Sequence, residues 1–443
     1  MNKKCIEFEE EIVKGKSKWR RNMKLKRVFQ AVKNNIVFLL AFILPIIIIL
    51  AVFTFLNMGY FGDNTIVCSD MRSQYIAYFG KLKDVLSGDG SLLYSFNKSL
   101  GGNTIGLFAY YLASPLNLIL LFFPKKLIGE AVLTIYLLKI GLSSLNMSIF
   151  LNKVYKKKDI SLLIFSLCYS LMAYNISFQM NVMWLDGVML LPLIALSVEN
   201  IIDKNKYKLY ISLLFLVIIS NYYIGYMTCI FIGIYFIYRS ILKRKFTIRK
   251  LILFIGYSLV SVGLSAFLLV PVVLSLRTGK ASFNLFKDPY ITQGFVDGLS
   301  KLFIGSYNVQ QVQIAPANIY CSVMITMLLM IYFFNRNIKL KEKIASLVLM
   351  VIVALSFHIS TLTLLWHGFN FPVGFHYRNS FIFSFLMIIF GYKSWINIKE
   401  IKYRYVFLSI ILALAGTIAV YYGNYDYVDN DKLIATFQWL FYM

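Results

Sequence analysis

Apolar runs of membrane-spanning length recur along the 443-residue chain, and the segments between them alternate sharply in charge. A helix needs about 20 apolar residues to cross the hydrocarbon core of a bilayer. Such runs occupy residues 36–56, 127–150, 160–178, 182–202, 209–241, 250–276, 318–335, 344–366, 374–392 and 404–422. The pattern predicts an all-α integral membrane protein, and its topology decides where any chemistry lies.

The net charge of +25 comes from Lys and Arg residues that gather at the ends of the apolar runs. Loops on the cytoplasmic side carry this excess, and anionic lipid head groups attract it. The charge therefore requires no nucleic-acid partner. The basic segments are predicted to be cytoplasmic: residues 1–35, 153–158, 204–208, 239–250, 336–343 and 393–404. The chain is rich in Ile, Lys, Asn, Tyr and Phe, a composition that indicates an AT-rich bacterial genome. We therefore expect a bacterial plasma membrane with the N-terminus inside.

Two apolar runs need separate treatment. Run 209–241 has basic residues at both ends, which predicts a hairpin of two helices, broken near Asn221–Tyr223 and not both long enough to span. Run 104–123 could cross, but a crossing would turn every later basic loop outward, and "ASPLN" interrupts it. We interpret it as interfacial or re-entrant. The chain then has about 11 spans within residues 36–422. It also has large outer loops at 57–126 and 277–317, and an outer tail at 423–443.

The segment "FGDNTIVCSDMRSQY" follows the first span and is a dense polar cluster beside the membrane. Asp70 could accept a proton from an attacking hydroxyl if it is held near the reacting carbon. It could instead cap a helix that runs over residues 71–86. The two roles are compatible.

Two charged residues fall within apolar runs. Asp186 stands at the outer end of a run, where a carboxylate is a candidate functional group or a favourable charge at a helix N-terminus. Lys139 lies in the middle of run 127–150, too deep to reach the surface easily. We expect it to be buried against a partner.

The segment "WHGFNFPVGFHYRNSF" joins two runs on the outside and brings together His367, His376 and Arg378. An Arg fork binds phosphate oxygens in bidentate fashion. The alternative is an aromatic belt with one snorkelling Arg. The histidine spacing does not match a zinc site.

Two further segments carry weaker signals. In "YSFNKSLGGNTIG", Gly101 and Gly102 permit either an anion-binding nest or a tight connection. The acidic segment "DYVDNDK" places Asp429 and Asp431 in a DxD-like spelling, but outside the cell, so we interpret it as a solvated tail.

Five segments in this order resemble the bacterial YfhO-like membrane proteins: "DMRSQYIAYFGKL", "YSFNKSLGGNTIGLFAYYLASPLNLI", "NVMWLDGVMLLPL", "SNYYIGYMTCIF" and "WHGFNFPVGFHYRNSF". The resemblance covers roughly residues 36–395. It implies a GT-C type glycosyltransferase that moves a monosaccharide from a polyprenyl-phosphate carrier to an extracellular cell-wall acceptor such as lipoteichoic acid. Members are usually longer, so the resemblance implies a shorter form.

The resemblance also implies roles for individual residues. Asp70 is the expected base, with Asp63 as second choice. Asp186 and Arg378 match family motif positions to which the resemblance gives no role. Because an Arg fork binds phosphate oxygens, we expect Arg378, together with Arg72 and His376, to stabilise the leaving lipid phosphate. The remaining residues expected to bind donor or substrate are Gln74, Tyr75, Asn103, Asp186 and His367. Asp63 and Asp70 could hold a divalent metal, which the sequence does not decide. The alternatives are a flippase or transporter of lipid-linked saccharides and a non-catalytic membrane partner. Concentration of the polar residues on one face favours the enzyme.

Overall fold

The protein is described by a computed structural model that covers residues 35–98, 100–277, 290–308, 311, 316–372, 374–398 and 401–441. The predicted cytoplasmic segment before residue 35 lies outside this range. The first half of the described chain contains α1 (Asn35–Phe55), α2 (Ile76–Leu86), β1 (Tyr94–Ser95), β2 (Gly102–Asn103), α3 (Ile105–Leu107), α4 (Ile128–Tyr155), α5 (Ile160–Ser170), α6 (Ala173–Ser177), α7 (Leu185–Lys204), α8 (Lys208–Ser220) and α9 (Tyr222–Leu242).

The second half contains α10 (Ile248–Leu264), α11 (Ala266–Arg277), α12 (Phe295–Ser300), α13 (Val323–Phe334), α14 (Leu340–His358), α15 (Ser360–Trp366), α16 (Ser380–Ile396), α17 (Tyr403–Gly423) and α18 (Asn430–Phe441). Short π and 3₁₀ turns extend several helices, including Met71–Tyr75, Phe108–Leu112, Pro115–Phe122, Lys125–Leu127 and Val182–Trp184. Within the described ranges, the sheet consists of β1 and β2, paired antiparallel.

Six of the described helices are long and apolar enough to cross a membrane, and two bent pairs raise that number to as many as eight. Three shorter apolar helices, α8, α13 and α16, have 10–17 residues each. This architecture confirms the all-α multi-span membrane protein. The count of about 11 spans stays a prediction.

The long apolar run 209–241 is broken at Asn221, as predicted. The backbone of Asn221 is extended (φ −160°, ψ 105°), and its side-chain oxygen caps α9 by accepting from the Ile224 N–H at 2.8 Å. Helix α8 has 13 residues, so it is about 20 Å long, too short to span. Helix α9 has 21 residues and is long enough.

The two helices form a hairpin that returns the chain to the same end of the bundle. At that end, Lys243 and Lys245 of the following turn both pair with Asp203 near the end of α7. We call this the basic end. The N-terminal ends of α7 and α9, which carry Trp184 and Tyr222, form the opposite or aromatic end. Gly187 lets α7 and α9 meet there, since a Cβ at this position would lie 2.1 Å from a methyl group of Ile224.

The apolar segment at 105–122 bends by 88° between Leu112 and Pro115. Pro115 begins the second arm, and the Ser114 backbone before it is extended, so the helix cannot continue. The predicted break at "ASPLN" is confirmed. A segment with this bend is either a broken span or a re-entrant loop, and the re-entrant assignment stays a prediction.

The glycine-rich connection at 101–102 is a tight turn between β1 and β2. Gly101 has φ +110°, and a Cβ there would lie 2.4 Å from the Tyr94 hydroxyl. The structure supports the tight connection, and the anion-binding nest stays a prediction.

The C-terminal segment differs from the solvated tail that its acidic residues predict. Tyr427, Val428 and Leu433 are buried in a small apolar cluster with Phe303 and Val420. Asp429 and Asp431 themselves are exposed. The prediction of solvent exposure therefore holds for the two carboxylates. It is wrong for the segment as a whole, because the apolar residues beside them pack against α17 and the loop that contains Phe303.

Candidate functional site

A group of tyrosines gathers at the aromatic end, around the bend of segment 105–122. The Tyr110 ring lies 4.7 Å from that of Tyr111 and 6.0 Å from that of Tyr223, measured between centroids. Tyr111 in turn lies 5.0 Å from Tyr75 and 5.1 Å from Tyr78. The bend thus places Tyr110 and Tyr111 between the segment that carries Tyr75 and Tyr78 and the start of α9. We call this group the tyrosine cluster.

Arg378 reaches into the tyrosine cluster from the loop before α16. Its guanidinium carbon lies 4.8 Å from the Trp184 ring centroid and 5.2 Å from that of Tyr223, so the cation is held between two aromatic faces. Nε donates to the Phe375 carbonyl at 3.1 Å, Nη1 to the Tyr110 hydroxyl at 3.0 Å and Nη2 to the Gly374 carbonyl at 3.3 Å.

These contacts leave part of the Arg378 fork available. A guanidinium has five N–H groups, and three are used, which leaves one on each terminal nitrogen. In the part of the chain that the structure describes, no carboxylate pairs with Arg378. A partly buried cation without a counter-ion, with both terminal nitrogens still able to donate, is suited to bind an anionic oxygen.

Asp70 lies on the other side of the tyrosine cluster. Its backbone is helical and its side chain makes no capping hydrogen bond, so the capping alternative is not what the structure shows. The Tyr75 hydroxyl lies 2.9 Å from Oδ1 of Asn181 and 3.4 Å from Oδ2 of Asp70. The hydroxyl has a single proton, which it donates to Oδ1 of Asn181 in the shorter contact. The carboxylate of Asp70 is therefore weakly engaged and partly exposed.

Tyr75 and Tyr111 connect Asp70 to Arg378. Burial raises the pKa of both phenols above its ordinary value, and both feel the negative charge of Asp70 and the positive charge of Arg378. The two hydroxyls thus stay protonated. A series of contacts through Tyr75, Tyr111 and Tyr110 thus links a carboxylate to a guanidinium, each of which lacks an oppositely charged partner among the described side chains.

Lys139 and Asp186 form a buried ion pair that underlies the bent segment. Lys139 Nζ lies 2.6 Å from Oδ2 of Asp186 and also donates to the Val182 carbonyl at 2.8 Å. Oδ1 of Asp186 accepts from the Ser114 hydroxyl, at the bend, at 2.8 Å. The partner that the sequence predicts for Lys139 is therefore Asp186. With 1% of its side chain exposed, Asp186 holds Ser114 rather than facing the solvent.

The family profile described as "Bacterial membrane protein YfhO" matches residues 41–443. The chain belongs to the YfhO family. A relative within this family, "Uncharacterized protein YfhO" of Bacillus subtilis (strain 168), is 26% identical over 228 residues, and the match covers 45% of this chain and 25% of the relative. The chain thus matches about a quarter of the length of that relative. No solved structure matches the present chain.

Other residues predicted for the site in this YfhO-family chain lie elsewhere. Arg72 and Gln74 are exposed, on faces of their turn away from the buried Tyr75. Asn103 accepts from the Ile105 N–H at 2.7 Å and so supports the start of α3. None of these three contacts the tyrosine cluster through a hydrogen bond within the described ranges.

His367 and His376, which the sequence predicts on the outside, lie in different surroundings. His367 is buried 6.1 Å from the Tyr223 ring, and its Nδ1 donates to the Thr363 carbonyl at 2.7 Å. Burial lowers the pKa of His367 to about 3, so the ring is neutral, and its Nε2 has no partner in the described structure. His376 instead stacks near Phe371, at 5.6 Å, and lines a different cavity.

The proposed metal pair does not form a site with the residues described. Asp63 lines a cavity of about 140 Å³ with Glu130, and Asp70 is not among the residues around it. In the described ranges, no group of three or more His, Cys, Asp or Glu side chains is placed to hold a metal ion.

The residues that sequence reasoning missed are aromatic or amide residues that hold the charged groups in place. They are Tyr110, Tyr111, Asn181, Trp184 and Tyr223. All five lie in segments that carry the family resemblance, but sequence reasoning assigned them no role. A signal was present in the paired tyrosines "AYYL" and "NYYI", which stand at two predicted breaks.

Proposed function

We propose that this YfhO-family chain is a GT-C type membrane glycosyltransferase. It would take a monosaccharide from a polyprenyl-phosphate carrier and pass it to an extracellular cell-wall acceptor such as lipoteichoic acid. The observation that supports this most is the placement of Asp70 and Arg378 on the same tyrosine cluster. Both lack an oppositely charged partner among the described residues, and they flank one tyrosine cluster. The reaction needs an acceptor base and a stabiliser of the leaving phosphate.

In this mechanism Asp70 accepts the proton of an acceptor hydroxyl as its oxygen attacks the anomeric carbon. The bond between that carbon and the carrier phosphate oxygen breaks, and the phosphate leaves with the bonding electron pair. The remaining N–H groups of Arg378 bind the oxygens of the leaving phosphate, where a planar fork gives two parallel hydrogen bonds. One displacement inverts the anomeric configuration.

The aromatic residues contribute position rather than chemistry. Trp184 and Tyr223 fix the plane of the guanidinium, and Tyr110 fixes its direction. The Lys139–Asp186 pair fixes Ser114 and hence the bend that carries Tyr110 and Tyr111. Groups held by packing need little reorganisation as charge develops, which lowers the barrier.

The test is transfer in proteoliposomes that contain the purified full chain. Synthetic polyprenyl-phosphate donors carrying radiolabelled glucose, galactose or N-acetylglucosamine are supplied with extracted lipoteichoic acid, and label in the polymer is measured. Asp70→Asn should lower turnover by roughly 10²–10⁴-fold, the usual contribution of a general base. Asp89→Asn, at an exposed loop position, is the matched control and should transfer normally.

Two results would contradict the proposal. Turnover of Asp70→Asn within about threefold of the wild type, far below a base contribution, would remove Asp70 from this role. Movement of the labelled carrier across the bilayer without any labelled polymer would instead identify a flippase.

A further inference from the structure

A second cavity, of about 370 Å³, lies between the start of α12 and the loop that precedes α16. Its volume falls within the range of small-molecule sites. The lining residues are Tyr290, Ile291, Thr292, Gln293, Asp297, Pro316, Phe371, His376 and Tyr377. Of these, the sequence singled out His376 alone.

Aromatic rings form much of the wall of this cavity. The Phe371 ring lies 6.3 Å from that of Tyr290 and 5.6 Å from that of His376. Tyr290 is 50% exposed, which leaves much of its surface open to solvent, whereas Tyr377 is buried. The face of an aromatic ring carries negative potential. The C–H groups on one face of a sugar ring carry partial positive charge, so a sugar can stack on such a wall.

Polar groups at the same cavity are fixed by bonds to the protein. Oδ1 of Asp297 accepts from the Tyr425 hydroxyl at 2.6 Å, and Oδ2 accepts from the Gly294 N–H at 2.6 Å. Oε1 of Gln293 accepts from the Ala317 N–H at 3.0 Å. A carboxylate keeps further lone pairs, and the Gln293 amide keeps its two N–H donors. Acceptors and donors are thus presented in set directions, which suits hydroxyl groups.

The charge of the lining decides the class of ligand. Among the described residues, the lining contains one carboxylate and no Lys or Arg. A phosphate group would meet the Asp297 charge without a compensating cation, an unfavourable arrangement. A neutral, polyhydroxylated ligand fits both the aromatic wall and the polar groups.

The loop that forms one wall is strained and also carries Arg378. Phe369, Phe375 and Tyr377 all have positive φ, at 61°, 50° and 55°. Bulky residues in this region cost on the order of 1–3 kcal/mol each and cluster at functional sites. Phe375 packs 5.6 Å from the Trp184 ring on the Arg378 side, whereas Tyr377 lines the second cavity. The loop therefore contributes residues both to the surroundings of Arg378 and to the second cavity.

We propose that this second cavity binds a neutral sugar unit, stacked on Tyr290 and Phe371 and hydrogen-bonded to Gln293 and Asp297. Binding here needs neither Asp70 nor the free N–H groups of Arg378, so it stands independently of the transfer reaction. If the transfer reaction is correct, a glycan chain held here would lie beside the loop that positions Arg378.

The test uses the full chain in nanodiscs, because maltoside and glucoside detergents would compete for the cavity. Saturation-transfer NMR is recorded with maltotriose, gentiobiose and N,N′-diacetylchitobiose, and with glycerol 3-phosphate as the anionic comparison. At least one neutral sugar should give a signal. Tyr290→Ala with Phe371→Ala should weaken its binding by about tenfold or more, which corresponds to the loss of roughly two aromatic contacts.

Two further variants keep the result interpretable. Tyr290→Phe retains the ring and should retain binding. Phe96→Ala, which removes an 80% exposed aromatic residue outside the cavity, should have no effect. Tyr290→Ala alone replaces the double variant if the latter does not fold. Absence of a signal from every neutral sugar, tighter binding of glycerol 3-phosphate, or unchanged binding in the alanine variants would overturn the proposal.

Discussion

At the basic end of the bundle, the carboxylates of α7 pair with Lys and Arg side chains. At the aromatic end, one carboxylate and one guanidinium have no oppositely charged partner among the described residues. Glu199 near the end of α7 pairs with Arg239 and Lys243, and Asp203 pairs with Lys243 and Lys245. At the other end of α7 and α9, Asp70 and Arg378 have no such partners within the described residues. Burial of a charge without a partner is costly. A fold that pairs charges closely at one end and leaves two unpaired at the other points to the second end as the place for a charged ligand.

The Lys139–Asp186 pair lies on the aromatic side but belongs with the paired charges. Both side chains are almost completely buried, at 0% and 1% exposure. The pair therefore shows that a charged residue can lie close to the candidate site and still have a structural role.

The largest expected effect is on this pair. Lys139→Met leaves the Asp186 carboxylate buried without a cation, and should lower the free energy of unfolding by about 3–5 kcal/mol. The double variant Lys139→Met with Asp186→Leu removes both charges and should recover much of the loss. Thermal unfolding in detergent measures both. A double variant no more stable than Lys139→Met would show that the pair does more than neutralise Asp186.

A smaller effect is expected at Arg378. Arg378→Lys keeps the charge but loses the planar fork, so the KM for the polyprenyl-phosphate donor should rise roughly thirtyfold, about 2 kcal/mol for lost charged hydrogen bonds. An aromatic belt with a snorkelling cation would tolerate Lys. Steady-state kinetics at varied donor concentration measure the change.

The control for Arg378 is Tyr110→Phe, which removes the hydroxyl that accepts from Nη1 but leaves the whole fork in place. A phosphate contact predicts a much smaller rise in donor KM for this variant than for Arg378→Lys. Equal rises in both variants would mean that Arg378 acts only by packing against the tyrosine cluster.

The sequence predicts the membrane class and both helix breaks because hydropathy and helix-breaking residues act locally. The breaks at Asn221 and before Pro115 need only their own neighbours. The site depends on distant pairings instead. The Arg378–Tyr110 contact joins residues 268 positions apart, and the Lys139–Asp186 pair joins residues 47 apart. A single sequence records that both ends of such a pair exist but not that they meet.

The C-terminal tail shows the same limit in another form. Its acidic residues dominate the local pattern and predict a solvated segment, and Asp429 and Asp431 are indeed exposed. Tyr427 and Val428 are nevertheless buried against Phe303, in a loop more than a hundred residues earlier. Short apolar stretches of this kind have no periodicity that identifies a packing partner.

The smallest expected effect, counted per pH unit, concerns Lys301, a buried cation that directly follows α12. Its ammonium donates to the Ser306 carbonyl at 2.7 Å and to the Gln311 side chain, and lies 4.4 Å from the Tyr427 ring centroid. No carboxylate pairs with it among the described residues. Burial lowers the pKa of Lys301 to about 7.

In the unfolded chain this lysine has a pKa of about 10.4. Between pH 7 and pH 10 the unfolded state therefore holds more protons than the folded state, and stability should rise with pH, by at most about 1.4 kcal/mol per unit. Below pH 7 both states are protonated and the contribution is flat. Lys301→Met should remove this rise, whereas Lys126→Met, at an exposed position, should keep it. The measurement compares the unfolding midpoints of the wild type and the two variants from pH 6 to pH 9.5. An unchanged slope in Lys301→Met would mean that Lys301 stays protonated in the fold and that its aromatic and carbonyl contacts compensate for burial as well as a carboxylate would.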